Sequence, residues 1–256
     1  MGIKMTDAPV FYTLSQIKFN PIEKMGDAIS NIQEKFRKDY PDFRLEAKKE
    51  LFFKIDPTNS NVETKNIQYW SFCNIERTEG YVLFPNNLVF HTTNYTSFPL
   101  FLEKIISGLK ILHETIELSF VEQIGLRYLN TIQSKEGDNF DKYINPGLLG
   151  LSSAVNEQLV HNICETVFEI GNGKLVFKSL IRDQGLALPP DIQANLLNFK
   201  IKAPKGRNAT LDIDFFITQR NVINIENVKN ELDNAHSIIE GVFQKSISDH
   251  ARKVWR

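Results

Sequence analysis

Residues 97–116, SFPLFLEKIISGLKILHETI, decide the fold class. Ser97 and Pro99 suit the start of a helix, and the apolar residues that follow recur at spacings of three and four. These apolar residues are Phe98, Leu102, Ile105, Ile106, Leu109, Leu112 and Ile116. Because strand-like runs stand on both sides, the stretch predicts a long amphipathic helix packed on an antiparallel sheet.

The same order, strands and then a long helix, returns in the second half of the chain. A helix is predicted over 225–248, with an apolar stripe of Ile225, Val228, Leu232, Ala235, Ile239, Val242 and Phe243. We therefore predict an α+β protein of two lobes, residues 1–135 and 136–256. Each lobe is a mainly antiparallel sheet packed against a long amphipathic helix. The polar segment 134–146 is the predicted linker between them.

Alternation of apolar and polar residues predicts the strands. Residues 44–55 alternate most clearly, which indicates a strand with one face in water. The other predicted strands are 10–19, 65–77, 80–84, 88–93, 120–132, 160–170, 174–182, 196–203 and 209–218. A first helix is predicted after Asn20 and Pro21, a favourable cap and first position, and it ends at Pro41.

Bulk composition excludes several classes of protein. The chain has 256 residues, a hydrophobic fraction of 42% and a net charge of −1, so no overall field draws it to nucleic acid or to an anionic membrane. Cys73 and Cys164 stand alone, as reduced cytosolic thiols do. No apolar run has the length of a membrane span. We expect a soluble, cytoplasmic protein that has no contact with a membrane.

No strong catalytic motif is present. The chain lacks the GxSxG and P-loop patterns, and its five histidines stand on different predicted elements without metal-ligand spacing. Whether the protein is an enzyme stays open on these grounds, and the leading interpretation requires no cofactor.

One acidic pair is a candidate metal site. Asp212 and Asp214 flank Ile213 in a predicted strand, so both carboxylates emerge on one face and could hold Mg²⁺. The alternative is a solvated strand face opposite the apolar one.

Basic residues form a candidate phosphate site. Lys174, Lys178 and Arg182 share one face of a predicted strand, and Arg127 could join them. This face would form a charged channel for a phosphorylated ligand if it met another charged strand face. That second face carries Arg44, Glu46, Lys48 and Glu50. The alternative is that these are the water-facing sides of two half-exposed sheets.

Two aromatic segments have alternative interpretations. Tyr69, Trp70 and Phe72 could stack nucleic-acid bases, or they could belong to the core of a sheet. Near the C-terminus, Trp255 stands among Arg252 and Arg256, residue types that often anchor interfaces. Either Trp255 docks back on the fold, or this end binds a partner.

Several short segments together resemble a sporadically distributed family of uncharacterised prokaryotic proteins of about this length. They are APV at 8–10, QIKFNP at 16–21, DYP at 39–41, QIGLRYLN at 123–130, LDIDF at 211–215, and the last helix from His236 to ISD at 247–249. The resemblance implies a prokaryotic protein of patchy occurrence, as in antiviral defence and toxin–antitoxin loci. It implies no catalytic residues.

Two functions of different classes follow. The first is a non-catalytic binding or accessory protein, a subunit that binds a protein partner encoded nearby in a defence or toxin–antitoxin locus. The second is a nucleotide- or phosphate-binding, metal-dependent enzyme with a charged sheet channel and Mg²⁺. Binding of single-stranded nucleic acid is a third, less favoured interpretation, because the net charge is near zero. The sequence does not indicate whether the chain forms homo-oligomers.

Overall fold

A computed structural model describes residues 9–56, 59–155, 157–192, 196–202 and 204–255, with the backbone alone between 48 and 65. The described residues form one sheet of nine strands, in which every neighbouring pair is antiparallel. In chain order the strands are β1 (Val10–Phe19), β2 (Asp42–Asp56), β3 (Asn59–Cys73), β4 (Glu79–Phe84), β5 (Asn87–Thr92), β6 (Phe120–Gln133), β7 (His161–Ile170), β8 (Gly173–Arg182) and β9 (Asn208–Val222). Their order in the sheet is β2-β3-β4-β5-β1-β6-β9-β8-β7.

The α+β class is confirmed, but the division into two lobes is not. β6, from the first half, and β9, from the second, pair along their length from Phe120 opposite Val222 to Gln133 opposite Asn208. A shared ladder of this length makes one continuous sheet of the strands from both halves.

Four α-helices accompany the described strands: α1 (Met25–Phe36), α2 (Phe98–Ile116), α3 (Ile225–Ser246) and α4 (Asp249–Val254). α2 has the predicted bounds, and α3 ends two residues earlier than expected. α1 begins five residues after Asn20. The side chain of Asn20 instead accepts a hydrogen bond from the backbone N–H of Ser119 at 2.8 Å, which ties it to the start of β6.

The core lies between the helices and one face of the sheet. Ile17, Leu126 and Phe215, on neighbouring strands, are fully buried there with Ile105 and Leu109 of α2. The apolar spacing of the helices therefore predicted their buried faces correctly. Each apolar stripe covers one face of the sheet, and the side chains of the strands alternate between the two faces with a period of two. No described helix has the length and hydrophobicity needed to cross a membrane.

The predicted linker, residues 134–146, packs into the fold. Phe140, Tyr143 and Ile144 are buried, and Ile144 forms a β-bridge with Ile247 just beyond α3. The segment is joined to α4 by His250 Nε2, which lies 2.6 Å from Asp138 Oδ2. The sequence predicted that this segment would be an open connection. It packs on the fold instead, because apolar residues are spaced among its polar ones.

The opposite face of the sheet is crossed by the described parts of the connection between β8 and β9, residues 183–192, 196–202 and 204–207, which we name the strap. Residues 196–203 were predicted to be a strand. The prediction is wrong for 196–202, and residue 203 lies outside the described residues. The N–H of Asn198 donates to Arg77 O at 2.6 Å, and Thr93 Oγ1 donates to Asn198 O at 2.7 Å. These single bonds fasten the strap to distant turns without forming a ladder.

Candidate functional site

The strap divides the second face of the sheet into a covered half and an open half. Its side chains Leu188, Ile192, Leu196, Leu197 and Phe199 pack on residues of β1, β3, β4, β5 and β6. On β9, Asn208, Thr210 and Asp212 are buried on this side, but the end of β9 at Phe216, together with β8 and β7, lies outside those contacts. On the same side they present Ile163, Val167, Val176, Leu180 and Phe216, together with Glu165 and Lys178, and we name this set the open face.

The open face exposes apolar side chains at its β7 end. Ile163 is 61% exposed and Val167 is 54% exposed. They lie opposite Leu180 and Val176 in the β7–β8 ladder, so the four side chains form two neighbouring apolar pairs on one surface. Glu165 and Lys178 stand between these pairs, 2.8 Å apart. The surface is therefore apolar with one ion pair in its middle.

A buried ion cluster borders the open face where the strap begins to cover the sheet. Arg127 on β6 donates from Nε to Asp212 Oδ1 at 2.7 Å and from Nη2 to Asp212 Oδ2 at 2.8 Å. It also donates from Nη1 and Nη2 to both carboxylate oxygens of Asp191, in the strap. Burial acts to lower the pKa of Arg127, but these hydrogen bonds outweigh it and hold the pKa above its ordinary value. Arg127 is thus fully charged and held by two carboxylates.

Asp214 is the unusual member of this cluster. It lies opposite Arg127 in the β6–β9 ladder, yet the guanidinium hydrogen bonds to Asp212 and Asp191 instead. Burial raises the pKa of Asp214 to about 6, with Asp212 and Asp191 adding repulsion against the attraction of Arg127. Asp214 therefore releases its proton at a higher pH than an ordinary aspartate does, and it lies at the border of the open face.

The residues predicted to bind phosphate are only partly brought together. Arg127 and Lys178 share the cluster, since Lys178 lies opposite Asp212 in the β8–β9 ladder. Lys174 and Arg182 are exposed and lie four residues to either side of Lys178, which is about 13 Å along a strand. A phosphate at Arg127 would also have to displace a carboxylate.

The second charged strand face lies on the same side of the sheet but far away. Six strands separate β2, with Arg44 and Glu46, from β8. Arg44 donates to Asp42 at 3.1 Å in its own strand. The side chains of Lys48 and Glu50 lie outside the described residues. The two faces do not meet in one channel.

The predicted metal pair, Asp212 and Asp214, does lie on one face. Both oxygens of Asp212 accept hydrogen bonds from Arg127, so a cation there would compete with a guanidinium for the same carboxylate. Across the described part of the chain, no group of three or more His, Cys, Asp and Glu side chains is arranged to hold a metal ion.

A second polar group lies beneath the strap, and sequence reasoning missed it. Tyr12 Oη is 2.9 Å from His91 Nδ1, and both residues are buried. Burial lowers the pKa of His91 to about 4, which keeps the imidazole neutral. Together with Asp191, Ile192 and Leu196, they border a cavity of about 160 Å³. No motif marks the pair, because Tyr12 lies on β1 and His91 lies on β5, 79 residues later in the chain.

The aromatic segment of β3 belongs to the core. Trp70 and Phe72 are buried on the helix side, and Tyr69 is buried on the strap side, where it stacks on Phe84 at 5.0 Å. These rings are not presented for base stacking in this structure.

The C-terminal aromatic docks back on the fold, which is one of the two alternatives that the sequence leaves open. Trp255 is 9% exposed and packs against Tyr143, with ring centroids 6.0 Å apart. Arg252 donates to Gln244 Oε1 at 3.3 Å and to Ile247 O at 3.3 Å. Arg256 lies outside the described residues. An interaction role for this end stays a prediction.

Comparison of the chain with protein-family models, with curated proteins and with solved structures found no match. The class defined by the geometry is an α+β protein with one antiparallel sheet, helices on one face, and a second face half covered by the strap.

Proposed function

We propose that the protein is a non-catalytic binding protein that docks a protein partner on its open face. The observation that carries the proposal is the contrast between the two halves of one sheet face. The strap covers the half over β6, β1, β5, β4 and β3, while Ile163 and Val167 remain more than half exposed on β7. Exposed apolar side chains grouped on one surface are typical of a protein-binding site.

The charged residues beside the open face support binding more than catalysis. Arg127, Asp191 and Asp212 satisfy one another, as a structural ion cluster does, and leave Arg127 little capacity for a substrate. A catalytic site instead needs a group that is free to exchange a proton or to bind a reacting atom. Burial raises the pKa of Asp214 to about 6, which would make binding beside it sensitive to pH.

The side chains of the open face indicate which kinds of side chain a partner would need. Two apolar pairs flank the ion pair of Glu165 and Lys178, so the partner would offer apolar side chains with charged groups of both signs between them. The resemblance to a patchily distributed prokaryotic family supports a partner encoded nearby. It is also the ground for proposing a defence or toxin–antitoxin locus.

The proposal is tested by co-expressing the tagged chain with each protein encoded beside its gene and measuring complexes by native mass spectrometry. A stoichiometric complex is expected for the wild type. Leu180→Glu, which puts a charge in an apolar pair without touching the ion cluster, should weaken binding about ten-fold or more. Ile75→Glu is the matched control, because Ile75 is also exposed but lies in the turn after β3.

Equal binding by Leu180→Glu and the wild type would remove the open face from the proposal. The absence of any complex with a neighbouring protein would contradict the proposed function. Circular dichroism of each variant establishes that the fold is intact before binding is compared.

A further inference from the structure

β7 is the last strand of the sheet, and it is the most exposed strand whose side chains are described throughout. It pairs with β8 on one side, and no described residue pairs with its other edge. Seven of its ten residues are exposed, and only Asn162, Cys164 and Ile170 are partly covered. An edge with free N–H and C=O groups is ready to pair with a further strand.

β7 carries only part of the protection that is common on natural edge strands, namely the exposed charges of Glu165 and Glu169. Proline and inward-pointing lysine, which discourage pairing, are both absent from His161–Ile170. Ile163, Val167 and Phe168 are exposed on it instead. The strand is thus suited to pairing by its backbone and by its side chains.

We propose that β7 pairs with β7 of a second copy of this chain, antiparallel, about a two-fold axis through Glu165. The inference is independent of the partner proposed for the open face. It joins two nine-stranded sheets into one, and the open faces of both copies then lie on the same side.

Symmetry restricts the possible registers. A two-fold axis between antiparallel edge strands stands perpendicular to the sheet, so residues of one face lie opposite residues of the same face. The axis therefore passes midway between the two copies of one residue of β7, and each possible register is named by that residue. With the axis at Glu165, Ile163 lies opposite Val167 of the second copy, and His161 lies opposite Glu169 of the second copy. An apolar pair and an imidazole–carboxylate pair then flank the centre on both sides.

Neighbouring registers lose these matches. An axis at Cys164 places Ile163 opposite Glu165, and an axis at Thr166 places Glu165 opposite Val167. Each puts an exposed apolar side chain against a carboxylate, which strands disfavour. On the helix side, the axis at Glu165 also places Val160 opposite Ile170. The pattern of charge and apolarity therefore favours the axis at Glu165 over the axes at Cys164 and Thr166.

The centre of the pair brings two Glu165 carboxylates together, which alone would repel. Each carboxylate already lies 2.8 Å from Lys178 of its own chain. The dimer would therefore centre on four charges in the order lysine, glutamate, glutamate, lysine, whose net charge is zero.

Cysteine cross-linking tests the register directly. In Cys164→Ser with Glu165→Cys, the two new cysteines would face each other with Cα atoms about 4.5–5.5 Å apart, within the range of a disulfide. The matched control is Cys164→Ser with Val167→Cys, whose cysteines would be offset by four residues, about 14 Å along the strand. The remaining cysteine, Cys73, is buried.

Under mild oxidation we expect a disulfide-linked dimer from the Glu165→Cys variant and only monomer from the Val167→Cys variant in denaturing electrophoresis. Light scattering should show the wild type as a dimer, and Ile163→Lys with Val167→Lys as a folded monomer. A monomeric wild type would overturn the proposal. A dimer that cross-links through position 167, or one that does not cross-link at position 165, would overturn it equally.

Discussion

Arg127 and Asp212 meet in a two-point contact across the pairing of β6 with β9. The guanidinium Nε lies 2.7 Å from Oδ1, and Nη2 lies 2.8 Å from Oδ2. Both side chains are buried, although they are 85 residues apart in the chain. The contact therefore joins the strands of the first and second halves at the middle of the sheet.

Removing one partner of this contact should destabilise the fold strongly. Asp212→Asn is expected to lower the free energy of unfolding by about 3–5 kcal/mol, because Arg127 would keep a buried charge without its main counter-ion. Urea denaturation measures the change. The double variant Arg127→Met with Asp212→Leu is the control and should lose less, because it removes both charges of the pair together. A loss under about 1 kcal/mol in Asp212→Asn would show that the contact is not structural.

Removing the other carboxylate should have a smaller and more local effect. Asp191 is 62% exposed, so Asp191→Ala is expected to cost about 1 kcal/mol or less. It should speed hydrogen exchange at the described strap amides while leaving β6 unchanged, because Asp191 ties the strap to the sheet. Asp183→Ala is the control, since Asp183 lies in the strap and has no ion pair among the described residues. Faster exchange throughout β6 would contradict this division.

The side chains of Asp214 and His91 should make the stability of the fold depend on pH in opposite directions. The pKa of Asp214 is raised to about 6, so its contribution to stability is present at low pH and is lost as the pH rises from about 4 to about 6. The pKa of His91 is lowered to about 4, so its contribution is lost as the pH falls from about 6.5 to about 4.

Asp214→Asn should therefore stabilise the protein above about pH 6, by roughly 1–3 kcal/mol, and steepen its loss of stability in acid. His91→Gln should flatten the acid loss. Urea denaturation at several pH values between about 4 and about 8 measures both effects. Parallel stability curves for wild type and Asp214→Asn would mean that Asp214 has an ordinary pKa.

Two glycines in helices should respond to alanine with opposite signs. A Cβ at Gly108 of α2 would meet the ring of Tyr81, whereas a Cβ at Gly241 of α3 would meet nothing within 4 Å. Gly241→Ala should raise the free energy of unfolding by about 0.5–1 kcal/mol, through helix propensity. Gly108→Ala should lower it by about 1–3 kcal/mol, because the helix and the ring must separate. Thermal unfolding of the two variants, which differ only in what surrounds the added methyl group, measures both. Stabilisation by Gly108→Ala would contradict the packing of α2 on β4.

The parts of the fold that depend on local periodicity could be predicted from the sequence. α2 has its predicted bounds, and the hairpin of β7 and β8 forms around Gly171, whose φ of +60° suits a glycine. The order of strands could not be predicted, because alternation shows which face of a strand is buried but does not identify its neighbour. The sequence therefore led to two sheets where one is formed.

The candidate site was harder to predict for the same reason. Arg127 and Asp212 were both selected from the sequence, but for a phosphate and a metal rather than for each other. Asp191 was not selected, because it follows two prolines in a segment without periodicity and reaches Arg127 only when the strap crosses the sheet. The open face was not predicted, because residues 196–203 were expected to be a strand.

The strap also limits how early this face of the sheet can be completed while the chain is synthesised on the ribosome. The hydrogen bond from Thr93 to Asn198 can form only after Asn198, which lies 105 residues later in the chain, has been synthesised. At a synthesis rate of about 5–20 residues per second, that interval is roughly 5–20 s. Throughout it, the strap side of β4, β5 and β1 has no cover from its own chain. This face of the sheet can therefore be completed only after the residues around Asn198 have been synthesised.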